Sequence, residues 1–68
     1  MLKKRFNFIV YEHNIYIIFE DHNQEATIDS IFPNYCNVLD FVLRLNYIAN
    51  LGYTLDTNYY VDIKTLEQ

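Results

Sequence analysis

Residues 5–20 read RFNFIVYEHNIYIIFE, and the fold turns on how their apolar side chains are spaced. In RFNFIVY, Phe6, Phe8 and Val10 alternate with Asn7, Ile9 and Tyr11; aromatic and β-branched residues at a period of two favour a strand. After Glu12, His13 and Asn14, the segment IYIIFE alternates Ile15, Ile17 and Phe19 with Tyr16, Ile18 and Glu20. Both phases of this second strand are apolar, the usual condition of a strand inside a sheet with both sides covered. Asp21, His22 and Asn23 precede QEATIDS, whose Ala26 and Ile28 alternate with Glu25, Thr27 and Asp29. This shorter, more polar third strand suits an edge, with Asp29 and Ser30 running into a loop.

His13 and His22 are nine positions apart, each with an acid before it and an asparagine after it. Imidazole and carboxylate are common tools of zinc binding and of general acid/base work. Backbone chemistry gives the simpler reading: Asn, Asp and His are enriched in the left-handed conformation of tight turns. The two histidines then stand at opposite ends of strand two, roughly 25 Å apart at about 3.3 Å per residue. Zinc ligands must converge on one point, so a shared metal site is not expected. Cys36 is the single cysteine, which excludes an intramolecular disulfide and suits a reducing interior; near a helix start and without a base, it reads as an inert thiol. With one glycine in the chain, a glycine-rich phosphate loop is excluded. No catalytic, metal or cofactor constellation emerges, and an enzyme is not expected.

The segment SIFPNYCNVLDFVLRLNYIANLGY, residues 30–53, holds the only proline and the only glycine, and they bracket a helix. Pro33 keeps Phe32 out of helical conformation, Asn34 or Asn37 caps the start, and Asp40 suits the positive end of the dipole. Val38, Phe41, Val42, Leu45, Ile48 and Ala49 follow helical spacing and form one apolar stripe, widened by Leu39 and Leu43. Asp40 precedes Arg44 by four residues, a weakly favourable pair on the wetter side with Asn37 and Tyr47. Gly52 fits the left-handed position after the helix, letting Tyr53 fold back toward Ile48. Beyond it, Tyr59, Val61 and Ile63 alternate with Tyr60, Asp62 and Lys64, predicting a final strand, with a short extra strand at residues 53–55.

The expected fold is a single α+β domain over residues 1–68, a two-layer structure of one helix on one face of an antiparallel sheet. The sheet has four strands, or five with the extra one, in the order β-β-β-α-β(β). Its predicted core is Phe6, Phe8, Val10, Ile15, Ile17, Phe19, Val38, Phe41, Val42, Leu45 and Ile48. A chain of 68 residues buries only about 60% of its unfolded surface, so stability is marginal. No apolar run approaches the roughly 18 residues that span a bilayer, and the N-terminus lacks a signal-peptide pattern; a soluble, cytoplasmic protein is expected.

Net charge is −4, yet Lys3, Lys4 and Arg5 cluster at the start, so the rest of the chain carries −7. An acidic body repels phosphate, which argues against direct nucleic-acid binding and favours encounter with basic partners. A single helix covers one sheet face, leaving Ile9, Tyr11, Tyr16, Ile18 and Tyr59 or Tyr60 on the other. Tyrosines in such a patch suit an interface, rimmed by Glu12, Glu20, Asp21, Glu25, Asp29, Asp56 and Asp62.

Small size, acidic balance and Asn-, Ile-, Tyr- and Lys-rich usage resemble, in style, the small single-domain proteins of bacterial viruses and mobile elements. That likeness implies a protein-binding module, a stoichiometric inhibitor or regulator of a host or defence enzyme with a basic surface, working in the host cytoplasm. Two alternatives stand beside it: a homo-oligomeric structural or assembly protein, such as a homodimer through the second face, and a small-ligand or nucleotide binder with a pocket between protomers.

Overall fold

In the computed structural model, which describes residues 4–67, the first two strands form β1 (Arg5–Tyr11) and β2 (Asn14–Glu20), antiparallel and in continuous register from Arg5↔Glu20 to Tyr11↔Asn14. Lys3 of the basic cluster lies outside the described residues. The turn between the strands holds only Glu12 and His13, and Glu12 takes the left-handed conformation at φ 56°. Asn or His suits that conformation better, but His13 does not take it and Asn14 already belongs to β2. In the next turn the Gln24 amide donates to the Asp21 carbonyl (2.9 Å), the Asn23 amide donates to Asp21 Oδ1 (2.8 Å), and Gln24 carries the positive φ of 64°.

The third strand, β3 (Ala26–Pro33), runs further than its polar start suggested: it takes in Asp29 and Ser30, read above as running into a loop, and continues through Ile31 and Phe32. A bulge makes this extension possible. Ile17 pairs with Ser30 and Ile18 with Ile28, leaving Asp29 as the extra residue; such a bulge re-aims side chains and bends an edge strand. Asp29 thereby meets Arg44 of α1 (Val38–Asn50), accepting from Nε and Nη2 at 2.7 Å each. The expected Asp40–Arg44 pair is replaced by this bond, because the bulge brings a carboxylate to the sheet face of the helix.

Asn37 caps α1, its side-chain oxygen accepting from the Leu39 amide (2.8 Å), and Asp40 lies in the first turn. At the other end Leu51 is the C-cap, Gly52 is left-handed at φ 102° with its amide donating to the Ala49 carbonyl (3.0 Å), and Lys4 Nζ donates to the Leu51 carbonyl (3.3 Å). Tyr53 folds back onto the Phe6–Ile17–Ile48 cluster and meets Phe19 edge-on at 5.4 Å. The chain then enters β4 (Thr54–Leu55), which lies parallel to the start of β1 in a mixed sheet of order β3-β2-β1-β4.

The architecture is thus β-β-β-α-β, a small α+β domain. Two expectations need correcting. The sheet is not wholly antiparallel, since β4 returns from α1 in the direction of β1. Nor is there a strand at residues 59–64. An Asx turn, with the Asn58 amide on Asp56 Oδ1 (3.0 Å) and the Tyr59 amide on the Asp56 carbonyl (3.1 Å), carries the chain off the sheet. Residues 59–62 are irregular and lead into the one-turn α2 (Ile63–Leu66). The alternation at Tyr59, Val61 and Ile63 still reports burial: Tyr59 and Ile63 are buried and Tyr60 is exposed, although no sheet ladder accompanies it.

Two cores result, one on each side of the sheet. Phe6, Ile17 and Ile48 form the first, with Phe19, Phe32, Phe41, Leu45 and Tyr53 packed around them beneath α1. Tyr16, Ile18, Tyr59 and Ile63 form the second, with Ile9, Tyr11, Ala26, Ile28, Val61 and Leu66 packed around them under the C-terminal segment. The predicted core holds at Phe6, Ile17, Phe19, Phe41, Leu45 and Ile48. Phe8, Val10, Val38 and Val42, placed in the same core above, are instead exposed. The helix meets the sheet through a row of one residue or so per turn, and positions beside that row have no sheet against them.

Candidate functional site

The surface expected to bind a partner is largely occupied by the chain itself. Tyr16 is 4% exposed and Ile18 fully buried; Ile9 and Tyr11 are half-buried against the same cluster. Polar bonds fasten the cover. Buried Asn7 donates through Nδ2 to the Tyr59 carbonyl (2.7 Å), and the Tyr16 hydroxyl donates to Glu67 Oε2 (2.9 Å). The bond to Glu67, with burial behind it, raises the Tyr16 phenol above its ordinary value. Arg5 lies over the Tyr59 ring at 4.2 Å. Of the tyrosines assigned to this face, Tyr60 remains open to solvent.

The acids meant to rim that face do not converge. Glu12 sits in the first turn and Asp21 in the second, at opposite ends of β2. Arg5 bridges Glu20 (2.9 Å) and Asp56 (3.3 Å). Asp29 is engaged by Arg44, a bond that holds its carboxyl below the usual carboxylate range. Asp62 caps α2, accepting from the Lys64 amide (3.1 Å), and Glu25 is exposed just before β3. His13 and His22 occupy the two separate turns, and among the described residues no group of three His, Cys, Asp or Glu side chains is placed to hold a metal ion. No described helix is long and apolar enough to cross a membrane.

A different surface holds six of the exposed large apolar side chains. Only Asp40, Arg44, Asn46 and Asn50 of α1 are polar, so the helix is apolar on more sides than one sheet can cover. Phe41, Leu45 and Ile48 point at the sheet. Val38, Leu39, Val42 and Leu43 do not, and are 72%, 62%, 40% and 57% exposed. Beside them on the same face of the sheet are Phe8 and Val10 of β1, also exposed, with Phe8 meeting Phe41 edge-on at 5.2 Å.

The sheet contributes backbone here as well. The Thr54 amide donates to the Lys4 carbonyl and the Asp56 amide to the Phe6 carbonyl, so even-numbered residues of β1 turn their backbone groups toward β4. Pairing between β4 and β1 ends at Leu55↔Phe6. The backbone of Val10 therefore lies beyond that ladder, on the open side of the strand.

Sequence reasoning placed four of these six residues in the core and treated Leu39 and Leu43 as a widening of the stripe. The available signal was the width itself: an apolar arc this broad on a 13-residue helix exceeds what one sheet face hides. Comparison of the chain with models of protein families, with curated proteins and with solved structures finds no match.

Proposed function

We propose that this chain is a protein-binding module that recognises its partner through the patch formed by Phe8, Val10, Val38, Leu39, Val42 and Leu43, working by occupancy in the cytoplasm. One observation carries the reading. Four large apolar side chains of α1 that do not point at the sheet, and Phe8 and Val10 on the sheet face that α1 covers, are exposed, with Phe8 joined to the helix through Phe41; monomeric proteins rarely leave an apolar surface of this size without a use for it. Asp29 is taken up by Arg44, and Asp40 lies on the flank of α1 opposite Val38 and Val42, which favours a partner held by shape and apolar area over one held by basic charge. The tyrosine-bearing face, covered within the protomer, contributes Tyr60 alone as an open ring.

A photo-activatable cross-linking residue placed at Leu39 or Val42, in cells that make the protein, tests this. Adducts with a defined protein from both positions, and none from the exposed turn residue Glu25, are expected. Absence of any adduct from both helix positions, with the protein folded, would sink the reading.

A further inference from the structure

We infer that the occupant of the α1 patch is a second copy of this chain, related by a two-fold axis that sets the two α1 helices side by side and antiparallel. The inference rests on the reading of that patch as a recognition surface and names what it recognises.

Area comes first. From their fractional exposures, Phe8, Val10, Val38, Leu39, Val42 and Leu43 present roughly 600 Å² of accessible surface, at the top of the range for the largest patch on a monomer. Tyr35, two residues before the N-cap, is 86% exposed. It brings the surface to about the 800 Å² per partner of a standard interface.

Charge comes second. The patch carries no charged side chain, so two copies meet without opposing like charges, although each chain bears −4 overall. Arg44 is turned away onto Asp29, and its guanidinium also stands over the Tyr47 ring at 4.7 Å. Asp40 points to the flank opposite Val38 and Val42 around the helix. A basic partner would find nothing on this surface to hold, whereas an identical apolar surface matches it in the reciprocal way a two-fold interface requires.

Supply is the third point. Ile48 is the one buried residue of α1, so the helix is thinly held, and in a domain this small the missing cover is needed whenever the protein is folded. A second copy is present wherever the first one is made. In the antiparallel arrangement Leu39, Val42 and Leu43 of each helix meet their counterparts near the axis, and Phe8 and Val10 close the side toward β1.

Sedimentation equilibrium of the full chain from about 1 to 500 µM tests the inference. The expected species at the upper end has twice the mass of the 8.2 kDa chain, dissociating on dilution. Leu43→Glu should weaken association at least 100-fold with unchanged far-ultraviolet circular dichroism, and Tyr60→Glu, on the other side of the sheet, should leave it unaltered. A wild-type chain that stays monomeric to 500 µM overturns the second-copy assignment alone; cross-linking from Leu39 to a different protein would then still uphold the recognition surface. A dimer broken by Tyr60→Glu but not by Leu43→Glu overturns it as well. Should Leu43→Glu fail to fold, isotope-filtered NMR on mixed labelled and unlabelled wild-type protein decides the matter. Contacts between copies at the Leu39 and Val42 methyl groups support the interface, and their absence in a dimer overturns it.

Discussion

The two faces of the sheet are covered by unlike means and with unlike success. On one side a regular helix of 13 residues buries a single residue of its own, Ile48, and leaves Phe8 and Val10 of the sheet in solvent. On the other, an irregular segment ending in a single turn of helix buries Tyr59 and Ile63 and seals Tyr16 and Ile18 to 4% exposure or less. Regularity is not what makes a good cover. A helix presents its side chains on a cylinder and meets a flat layer along one narrow row. An extended segment runs close to the layer and can set alternate side chains into it.

That contrast predicts where the protomer keeps its stability. Ile63→Ala should cost about 3 kcal/mol, the usual range for emptying a fully buried aliphatic site, out of roughly 3–10 kcal/mol for a domain of this length. Leu43→Ala, measured by urea denaturation at a concentration where the chain is monomeric, should change stability by less than about 0.5 kcal/mol, as exposed positions do. Equal losses at the two sites would break the comparison and mean that α1 carries as much of the protomer as the C-terminal segment does.

Much of this was legible in the amino-acid order, and the misses share a cause. Period-two spacing correctly reported that both faces of residues 6–20 are apolar and that Tyr59 and Ile63 share a side, but not which positions are covered: Phe8 and Val10, read as core, are exposed, and Tyr16 and Ile18, read as open, are buried. It reports which residues share a side and says nothing of ladder hydrogen bonds, so the last alternating stretch was assigned to the sheet when it lies across it. The decision is made by Asp56, whose Asx turn redirects the backbone, and a three-residue turn signal does not say which way the chain leaves. The inward pairing of Asp29 was invisible for a similar reason: it depends on one unpaired residue in β3, and the register of two strands is a property of both. Once the C-terminal segment is placed on the second face, the binding surface expected there loses most of its area. The surplus apolar arc of α1, read as core, becomes the exposed surface instead.

Gly52 links the two covers, since the chain must reverse there to leave α1 and reach β4. Its φ of 102° is where an L side chain is strained, and a Cβ would meet nothing nearer than Lys4 Nζ at 3.7 Å. Steric room is therefore available, and the penalty of Gly52→Ala is conformational. A loss of about 1–1.5 kcal/mol is expected in thermal or urea unfolding. A much larger loss would show that the reversal also sets the position of the C-terminal segment.

The Asp29–Arg44 bond pins α1 to β3, and its effect is tunable by pH. The hydrogen bonds from Arg44 hold the Asp29 carboxyl below its ordinary value. Its contribution is therefore fully present above the unfolded carboxylate pKa of about 3.9, and it is lost as pH falls through the lower folded value. Asp29→Asn should remove about 1 kcal/mol at pH 7, modest because Arg44 is partly open to solvent and such pairs are screened. Once the pH is below that lowered folded value the two proteins should converge. A difference that persists at low pH would mean that the asparagine disturbs the bulge itself.

The finest test concerns what holds the C-terminal segment down. Tyr59 is 4% exposed, burial raises its phenol above the ordinary value, and its hydroxyl has no hydrogen-bond partner among the described residues. The attachment is then made by the ring, sandwiched between the sheet and the Arg5 guanidinium, and by the backbone carbonyl that accepts from Asn7. Tyr59→Phe keeps the ring, the cation–π contact and the carbonyl, and removes only a polar atom that burial penalises. Stability should stay level or rise by up to about 1 kcal/mol. A loss of that size instead would reveal a bond to the hydroxyl, and the grip on the second face would be partly polar where the grip of α1 on the first is mostly apolar.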